Sequence, residues 1–155
     1  MDPVLPPAFR ELELDEMEAM LRSHHVGLIA YLSGNHVDIQ PIGYVYGDGA
    51  IHLRTTEGMK VDALRRSPWV AFEVDEVRGP YDWRSVVARG TVYPLTLDGT
   101  PVQKATYERA VELIRTADPA ALTADDQAPW RDLLLRFVVD RMSGREATTG
   151  AHVAR

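Results

Sequence analysis

A ten-residue stretch, Ile51–Lys60, combines the side-chain types that bind a phosphate group. In the sequence IHLRTTEGMK, Arg54, Thr55 and Thr56 end an alternating strand, and Lys60 stands at the start of a helical segment. A guanidinium, an ammonium, hydroxyl groups and the free N–H groups of a helix start can together hold a phosphate dianion. The pattern therefore indicates an anion site, although a strand that runs into a helix produces similar spacing without any ligand.

Several other kinds of chemistry are excluded or lack support. The chain contains no cysteine, which removes thiol catalysis, disulfides and cysteine-ligated metal sites. Its five histidines show no i,i+4 pair on a helix, so we predict no metal site. Neither a GxGxxG nor a Walker sequence is present. Redox chemistry would therefore depend on a bound cofactor. The sequence assigns no catalytic acid or base, and His52 and Arg84 are only candidates for that role.

Composition indicates an ordinary globular protein. With 155 residues and 45% hydrophobic content, the chain is long enough for one domain with a real core. Its net charge of -6 argues against nucleic acid as a partner. The sequence has no apolar run of the roughly 20 residues that span a membrane. The start, MDPVLPPAF, does not resemble a signal peptide, so we expect a cytoplasmic protein with no membrane partner.

Hydrophobic periodicity predicts a mainly β protein of the α+β class. We predict strands near 26–32, 37–46, 51–55, 69–75, 83–95 and 134–142, and helices near 15–24, 58–67 and 101–116. These elements include too few helices for a doubly wound sheet. They favour a six-stranded, antiparallel closed or split β-barrel with peripheral helices.

The predicted barrel occupies most of the chain. We expect residues 1–10 to form a flexible arm, residues 11–146 a single domain, and residues 147–155 a mobile tail. Within the second strand the apolar phase changes at Pro41, which cannot donate to a strand ladder. That position is therefore predicted to be an edge, a bulge or a place where a ligand meets the backbone.

The order of these segments resembles a known family. The sequence HVGLIAYL is followed by HVDIQPIGYVYGDGAIHLRTTEGMKVDALRRSPWVAFEVDEV and then by WRSVVARGTVYPL. Together they look like the pyridoxamine 5'-phosphate oxidase-related, FMN-binding split-barrel family, in particular its small nitroimidazole-resistance-like members. The resemblance covers about Leu12–Leu95, with a weaker similarity at Phe137–Glu146.

The resemblance implies a six-stranded split barrel that forms a homodimer, with FMN at the subunit interface and a small-molecule substrate. It implies a flavin-dependent oxidoreductase. By position, the FMN phosphate would contact Arg54, Thr55, Thr56 and Lys60. The flavin ring would lie along Gln40, Pro41 and Ile42, and Trp83, Arg84 and Ser85 would approach it from the other subunit.

Departures from the family pattern leave other functions open. Nitroimidazole-resistance proteins often have a histidine where this chain has Arg54. The Arg-x-His ending of true pyridoxamine phosphate oxidases is absent, so we do not predict vitamin B6 oxidation. The alternatives are a reductase that uses the deazaflavin coenzyme on the same fold, and a non-catalytic flavin carrier or sensor. A barrel that binds no ligand is a further possibility, since a fold does not determine a function.

Overall fold

Within residues 4–150, the part of the chain that the computed structural model describes (apart from the side chain of Met59), seven strands form one antiparallel sheet. The strand order is β1-β7-β4-β3-β2-β5-β6, and β6 also pairs with β7, which closes the sheet. The strands are β1 (Ala8–Glu11), β2 (Val26–Ser33), β3 (His36–Gly47), β4 (Ala50–Thr55), β5 (Trp69–Gly79), β6 (Asp82–Pro94) and β7 (Leu133–Thr148). The helices are α1 (Leu14–Ser23), α2 (Met59–Arg66) and α3 (Pro101–Ala117). The predicted split barrel is confirmed.

The seventh strand, β1, lies in the predicted arm. Its residues pair with the end of β7, from Ala8 opposite Thr148 to Glu11 opposite Arg145. Strand β7 is correspondingly longer than predicted. It can extend through Ser143 and Gly144 because β6 pairs with it from Leu135 to Ala147, while β4 and β1 pair with its two ends. Residues 1–3 of the predicted arm and 151–155 of the predicted tail lie outside the described residues.

The barrel interior forms the main core. Its buried side chains come from all the long strands and from α1 and α2, and include Ile29, Ile51, Leu53, Phe72 and Phe137. The ring centroids of Phe72 and Phe137 are 6.4 Å apart. Burial of such side chains is the dominant stabilising contribution to a fold of this size.

A second core lies on the outside of the barrel, under α3. Ala110, Leu113 and Ile114 of α3 pack with Val45 of β3 and Leu134 of β7. Strand β4 lies between these two cores, and all six of its residues are buried. Side chains on the outer side of β4 are therefore covered by α3 and by residues 118–131, which we call the connecting segment.

The apolar phase change at Pro41 arises without a bulge. Strand β3 is continuous and pairs with β2 through Pro41, whereas its pairing with β4 begins only at Gly43. Pro41 therefore lies where β3 pairs with a strand on one side only. Its missing N–H does not remove a hydrogen bond between two central strands. Before this point the apolar side chains, such as Ile39, point outwards and are exposed; after it they point into the core, as Ile42 does.

No helix in the described part of the chain is long and apolar enough to cross a membrane.

Candidate functional site

The end of β4, the start of α2 and the connecting segment meet at the stretch that the sequence singled out. Gly58 is the N-cap residue of α2, and no side chain caps the helix. A Cβ atom placed on Gly58 would meet no other atom within 4 Å, so the space beside this helix start is open. The N–H groups of a first helical turn have no partners within the helix and attract anions.

Lys60 lies in the first turn of α2 and is half-buried. Burial, followed by the positive charge of Arg131, lowers the pKa of its ammonium group. Neither Lys60 nor Arg131 takes part in an ion pair with a carboxylate among the described residues. Two neighbouring cations without a carboxylate partner, beside an open helix start, fit a phosphate group in both charge and donor type.

Arg131 was missed by the sequence analysis. It is 71 positions away from Lys60, in a stretch (130–142) that the sequence leaves ambiguous between the end of a helix and a strand. No local pattern relates the two residues, since the tertiary fold alone brings the connecting segment over β4. The only sequence signal is an arginine two residues before the final strand, which begins at Leu133.

Arg54 is buried and has partners within the chain. Its Nε donates a hydrogen bond to the carbonyl oxygen of Arg131 at 2.6 Å, and its Nη2 donates to the carbonyl oxygen of Ala128 at 3.0 Å. Nη2 also forms an ion pair with the carboxylate of Asp126, whose side chain is only 2% exposed. The predicted phosphate ligand is therefore largely engaged by the connecting segment, and an anion would have to compete with Asp126 for it.

Asp126 is held in its ionised form by the same segment. Its carboxylate accepts hydrogen bonds from the main-chain N–H groups of Ala128 at 2.9 Å and Leu122 at 2.7 Å. These two bonds, with a further contribution from Arg54, lower the pKa of Asp126. The Asp126 carboxylate thus accepts from three donors, and these bonds hold both Asp126 and the side chain of Arg54 in place.

The two predicted threonines differ in their surroundings. Thr55 is buried at the end of β4, opposite Leu133 of β7. Thr56 is exposed, and its hydroxyl donates a hydrogen bond to the carbonyl oxygen of Trp130 at 3.2 Å. Thr56 thus adds a second connection between the strand end and the connecting segment, while its oxygen can still accept a bond.

The three residues on β3 that are predicted to contact the flavin ring differ in which of their atoms a ligand could reach. The side chain of Ile42 is in the barrel core, so only its backbone could contact a ligand. Gln40 is half-buried and Pro41 is exposed. Strand β3 does not pair with β4 before Gly43. On the side of β3 that faces away from β2, the backbone N–H and C=O groups before Gly43 are therefore not used in strand pairing.

Trp83, Arg84 and Ser85 lie on β6, next to β5 and β7. Arg84 is paired with two carboxylates, at 2.7 Å to Glu146 Oε2 and 3.4 Å to Glu16 Oε2. Within the described residues these three form no hydrogen bond or ion pair with β3, β4 or α2. A single chain therefore brings together the β4 and α2 residues of the predicted site, and the β6 residues lie elsewhere.

His52 lies next to this region but is enclosed. It is buried beneath α3, and its Nε2 lies 3.1 Å from the carbonyl oxygen of Gly47. Burial is the main cause that lowers the pKa of its imidazole. Burial therefore favours the neutral form of the ring, which also lines the cavity of about 210 Å³ described below.

The barrel has an exposed apolar surface close to the free edge of β3. We call it the outer apolar face; it comprises Val26, Leu32, Val37, Ile39 and Trp69, with exposed fractions of 64%, 43%, 76%, 57% and 64%. A cavity of about 210 Å³ opens beside it and is lined in part by Val26, Gly43 and Arg131. The candidate site thus has a polar part at α2 and an apolar part along β2 and β3.

A comparison with protein-family models supplies the family. Residues 13–146 match the model described as pyridoxamine 5'-phosphate oxidase. The chain belongs to the pyridoxamine 5'-phosphate oxidase family. A comparison with curated proteins finds no match.

Several solved structures of low sequence identity share the fold. An FAD-binding protein from Mesorhizobium loti is 24% identical, with a TM-score of 0.71, and the match covers 90% of this chain and 99% of that one. A provisionally assigned pyridoxamine 5'-phosphate oxidase from Corynebacterium glutamicum is 25% identical (TM-score 0.63; 97% and 98% covered). A provisionally assigned 5-nitroimidazole antibiotic resistance protein from Bacteroides thetaiotaomicron is 14% identical (TM-score 0.69; 92% and 90% covered). The split barrel predicted from the sequence is the fold of these proteins.

Proposed function

We propose that this chain binds FMN and uses it as a flavin-dependent oxidoreductase acting on a small molecule. The observation that carries the proposal is the position of Lys60, which lies at an open helix start and forms no ion pair with a carboxylate among the described residues. The chain belongs to this family and shares its fold with an FAD-binding protein, and both facts support a flavin cofactor as the molecule that carries the phosphate. When bound, FMN supplies hydride or electron transfer at its ring system.

The protein would anchor and orient this group. Lys60 and the first-turn N–H groups of α2 bind the phosphate, and Thr55 and Thr56 lie at the adjacent strand end. The ring lies along the free edge of β3, where Gln40, Pro41 and Ile42 offer backbone groups and the outer apolar face excludes water. An apolar pocket with a few polar groups is the usual form of a cofactor site.

The site would be completed by a second copy of the chain. The outer apolar face leaves five large apolar side chains at least 43% exposed, and clustered exposed apolar side chains of this kind mark interaction sites. A homodimer covers this face and brings Trp83, Arg84 and Ser85 of the other subunit towards the ring. Aromatic and arginine side chains are enriched in such interfaces. We propose that the protein works as this homodimer in the cytoplasm.

Parallel titrations with FMN and the deazaflavin coenzyme would test cofactor binding and choice. We expect saturable binding of FMN, and weaker binding of FMN by Lys60→Ala. Lys104→Ala is the matched control, because Lys104 is the only other lysine and lies exposed on α3. If the protein binds the deazaflavin coenzyme clearly more tightly than FMN, the deazaflavin coenzyme becomes the proposed cofactor. If it binds neither coenzyme, the proposal is refuted.

An electron-transfer assay separates an enzyme from a carrier or sensor. The FMN-loaded protein would be mixed with NAD(P)H and with small electron acceptors, and its turnover compared with that of free FMN. We expect the loaded protein to cycle faster. A tightly bound flavin that no donor or acceptor can cycle would instead favour the non-catalytic carrier or sensor.

A further inference from the structure

We infer that Arg131 is a second ligand of the phosphate group, and that Arg54 is a positioning residue that holds Arg131 in place. The inference rests on the proposed function and deepens it, because it changes which arginine contacts the cofactor. It concerns a residue that no sequence pattern assigned to the site.

The position of Arg131 favours contact with an anion beside Lys60. Its Nη2 lies 3.5 Å from the carbonyl oxygen of Arg54 and would be 3.6 Å from a Cβ atom on Gly43. The guanidinium therefore lies over the strand pair β3–β4 at a position where glycine leaves room for it. The carbonyl oxygen of the adjacent residue, Trp130, accepts a hydrogen bond from Thr56 at 3.2 Å, so this part of the connecting segment lies two residues from Gly58, the N-cap of the helix that carries Lys60.

Neither of the two cations forms an ion pair with a carboxylate among the described residues. Repulsion between neighbouring cations raises the free energy of the ligand-free site, and a bound dianion would remove this cost. A planar guanidinium can also bind phosphate through two parallel hydrogen bonds, which a lysine cannot do. The donor set of one lysine, one arginine and a helix start therefore suits a phosphate monoester.

The geometry of Arg54 favours an indirect role. Its guanidinium forms an ion pair with the carboxylate of Asp126 and donates hydrogen bonds to the carbonyl oxygens of Ala128 and Arg131, all in the connecting segment. A phosphate that bound Arg54 would have to displace Asp126, which is itself held by two main-chain N–H groups. Breaking these bonds would release the segment that carries Arg131.

Comparison of FMN with riboflavin separates a phosphate ligand from a structural residue, since riboflavin lacks the phosphate. We expect Arg131→Ala to weaken FMN binding roughly 10- to 100-fold, the cost of losing a charged hydrogen bond, and to leave riboflavin binding unchanged. Arg131→Lys should restore part of the affinity for FMN. The matched control is Arg66→Ala, which removes an exposed arginine of α2.

A double-mutant comparison tests the positioning role of Arg54. Arg54→Met should weaken FMN binding in the otherwise native protein but add little further loss in the Arg131→Ala background. If Arg54→Met fails to fold, the milder variant Asp126→Asn takes its place, because it keeps the shape of the side chain. Additive losses, or an equal loss of riboflavin binding, would overturn the positioning role.

A readout without flavin uses inorganic phosphate as the probe. The chain has two lysines, so NMR can follow the Lys60 ammonium after Lys104→Arg removes the other signal. Phosphate should raise the pKa of Lys60 in this background, and the effect should be much smaller with Arg131→Ala. If phosphate acts on Lys60 but neither flavin binds, the proposed function fails and the anion site stands. If Arg131→Ala binds FMN and phosphate as tightly as the native protein does, the inference is overturned.

Discussion

Arg54 and Arg131 each donate a side-chain hydrogen bond to the main-chain carbonyl oxygen of the other. The distances are 2.6 Å from Arg54 Nε to Arg131 O and 3.5 Å from Arg131 Nη2 to Arg54 O, across a separation of 77 residues. The buried strand β4 and the connecting segment are thus joined by Arg131, the inferred phosphate ligand, and by Arg54, which holds it in place. The structure of this site therefore depends on both.

Replacing Arg54 with alanine should destabilise the fold. The change leaves the carboxylate of Asp126 enclosed without its cation, and breaking a buried ion pair from one side is strongly destabilising. We expect a fall in Tm of roughly 10 °C in thermal unfolding followed by circular dichroism. Arg65→Ala is the control, since Arg65 pairs with Glu57 at the surface and should shift Tm little. Equal melting temperatures for Arg54→Ala and the native protein would contradict this account of the pair.

Glu73 should make stability depend on pH. Burial, followed by the carboxylate of Asp75, raises the pKa of Glu73 to about 7. In the unfolded chain a glutamate has a pKa of about 4.3. Between these values the unfolded chain loses its proton while the folded protein keeps it, so this group's contribution to stability is present below about pH 4 and is lost as the pH rises towards 7.

The variant Glu73→Gln removes that pH dependence. It should match the native protein in urea unfolding at pH 4 and be more stable at pH 8, by about 1 kcal/mol after allowance for solvent screening at this partly exposed site. The measurement is the free energy of unfolding at both pH values. A stability difference of the same size at both would show that Glu73 does not titrate in this range.

Closure of the barrel should depend on a glycine in β6. A Cβ atom on Gly90 would lie 2.0 Å from the carbonyl oxygen of Val138, where the pairing of β6 with β7 shifts register. We expect Gly90→Ala to lower the free energy of unfolding by about 3 kcal/mol, because rigid backbone has to move. Gly79→Ala, whose Cβ would meet nothing within 4 Å, should have little effect in the same urea titration. Similar stabilities of the two variants would contradict the observed strand pairing.

The outer apolar face should control the oligomeric state. Ile39→Lys places a charge at the centre of this face and should convert a dimer into a monomer with weakened FMN binding. Light scattering after size-exclusion chromatography measures the mass of each species. Val102→Lys provides the control, because Val102 is 75% exposed on α3, away from this face. A native protein that is monomeric, or a dimer that Ile39→Lys leaves intact, would refute the proposed interface.

The local features of the site could be read from the sequence. The end of β4 at Thr55 and the start of α2 near Gly58 follow from an alternating strand, a glycine and a new helical period, all within a few residues. The switch of apolar phase around Pro41 was also visible, and it correctly marked a strand edge. The split barrel was also predicted, from the number of strands and helices and from the resemblance to a family with this fold.

The partners of Arg54 could not be read from the sequence. Asp126 and Arg131 come more than 70 residues later, in a segment without a helical or strand period, and only the tertiary fold brings them to β4. An exposed arginine on a strand end and a buried one with a carboxylate partner look identical in sequence. The same limit applied to β1, because a short strand of four residues forms only through its pairing with β7.

The central claim is that this chain binds a flavin through the phosphate of FMN, and a titration of FMN with the purified protein tests it most directly. We predict that the visible absorption and fluorescence of FMN change in a saturable way, with one FMN bound per subunit. An FMN spectrum that stays unchanged as the protein is added, for a protein that is folded and also colourless when purified, would contradict the claim.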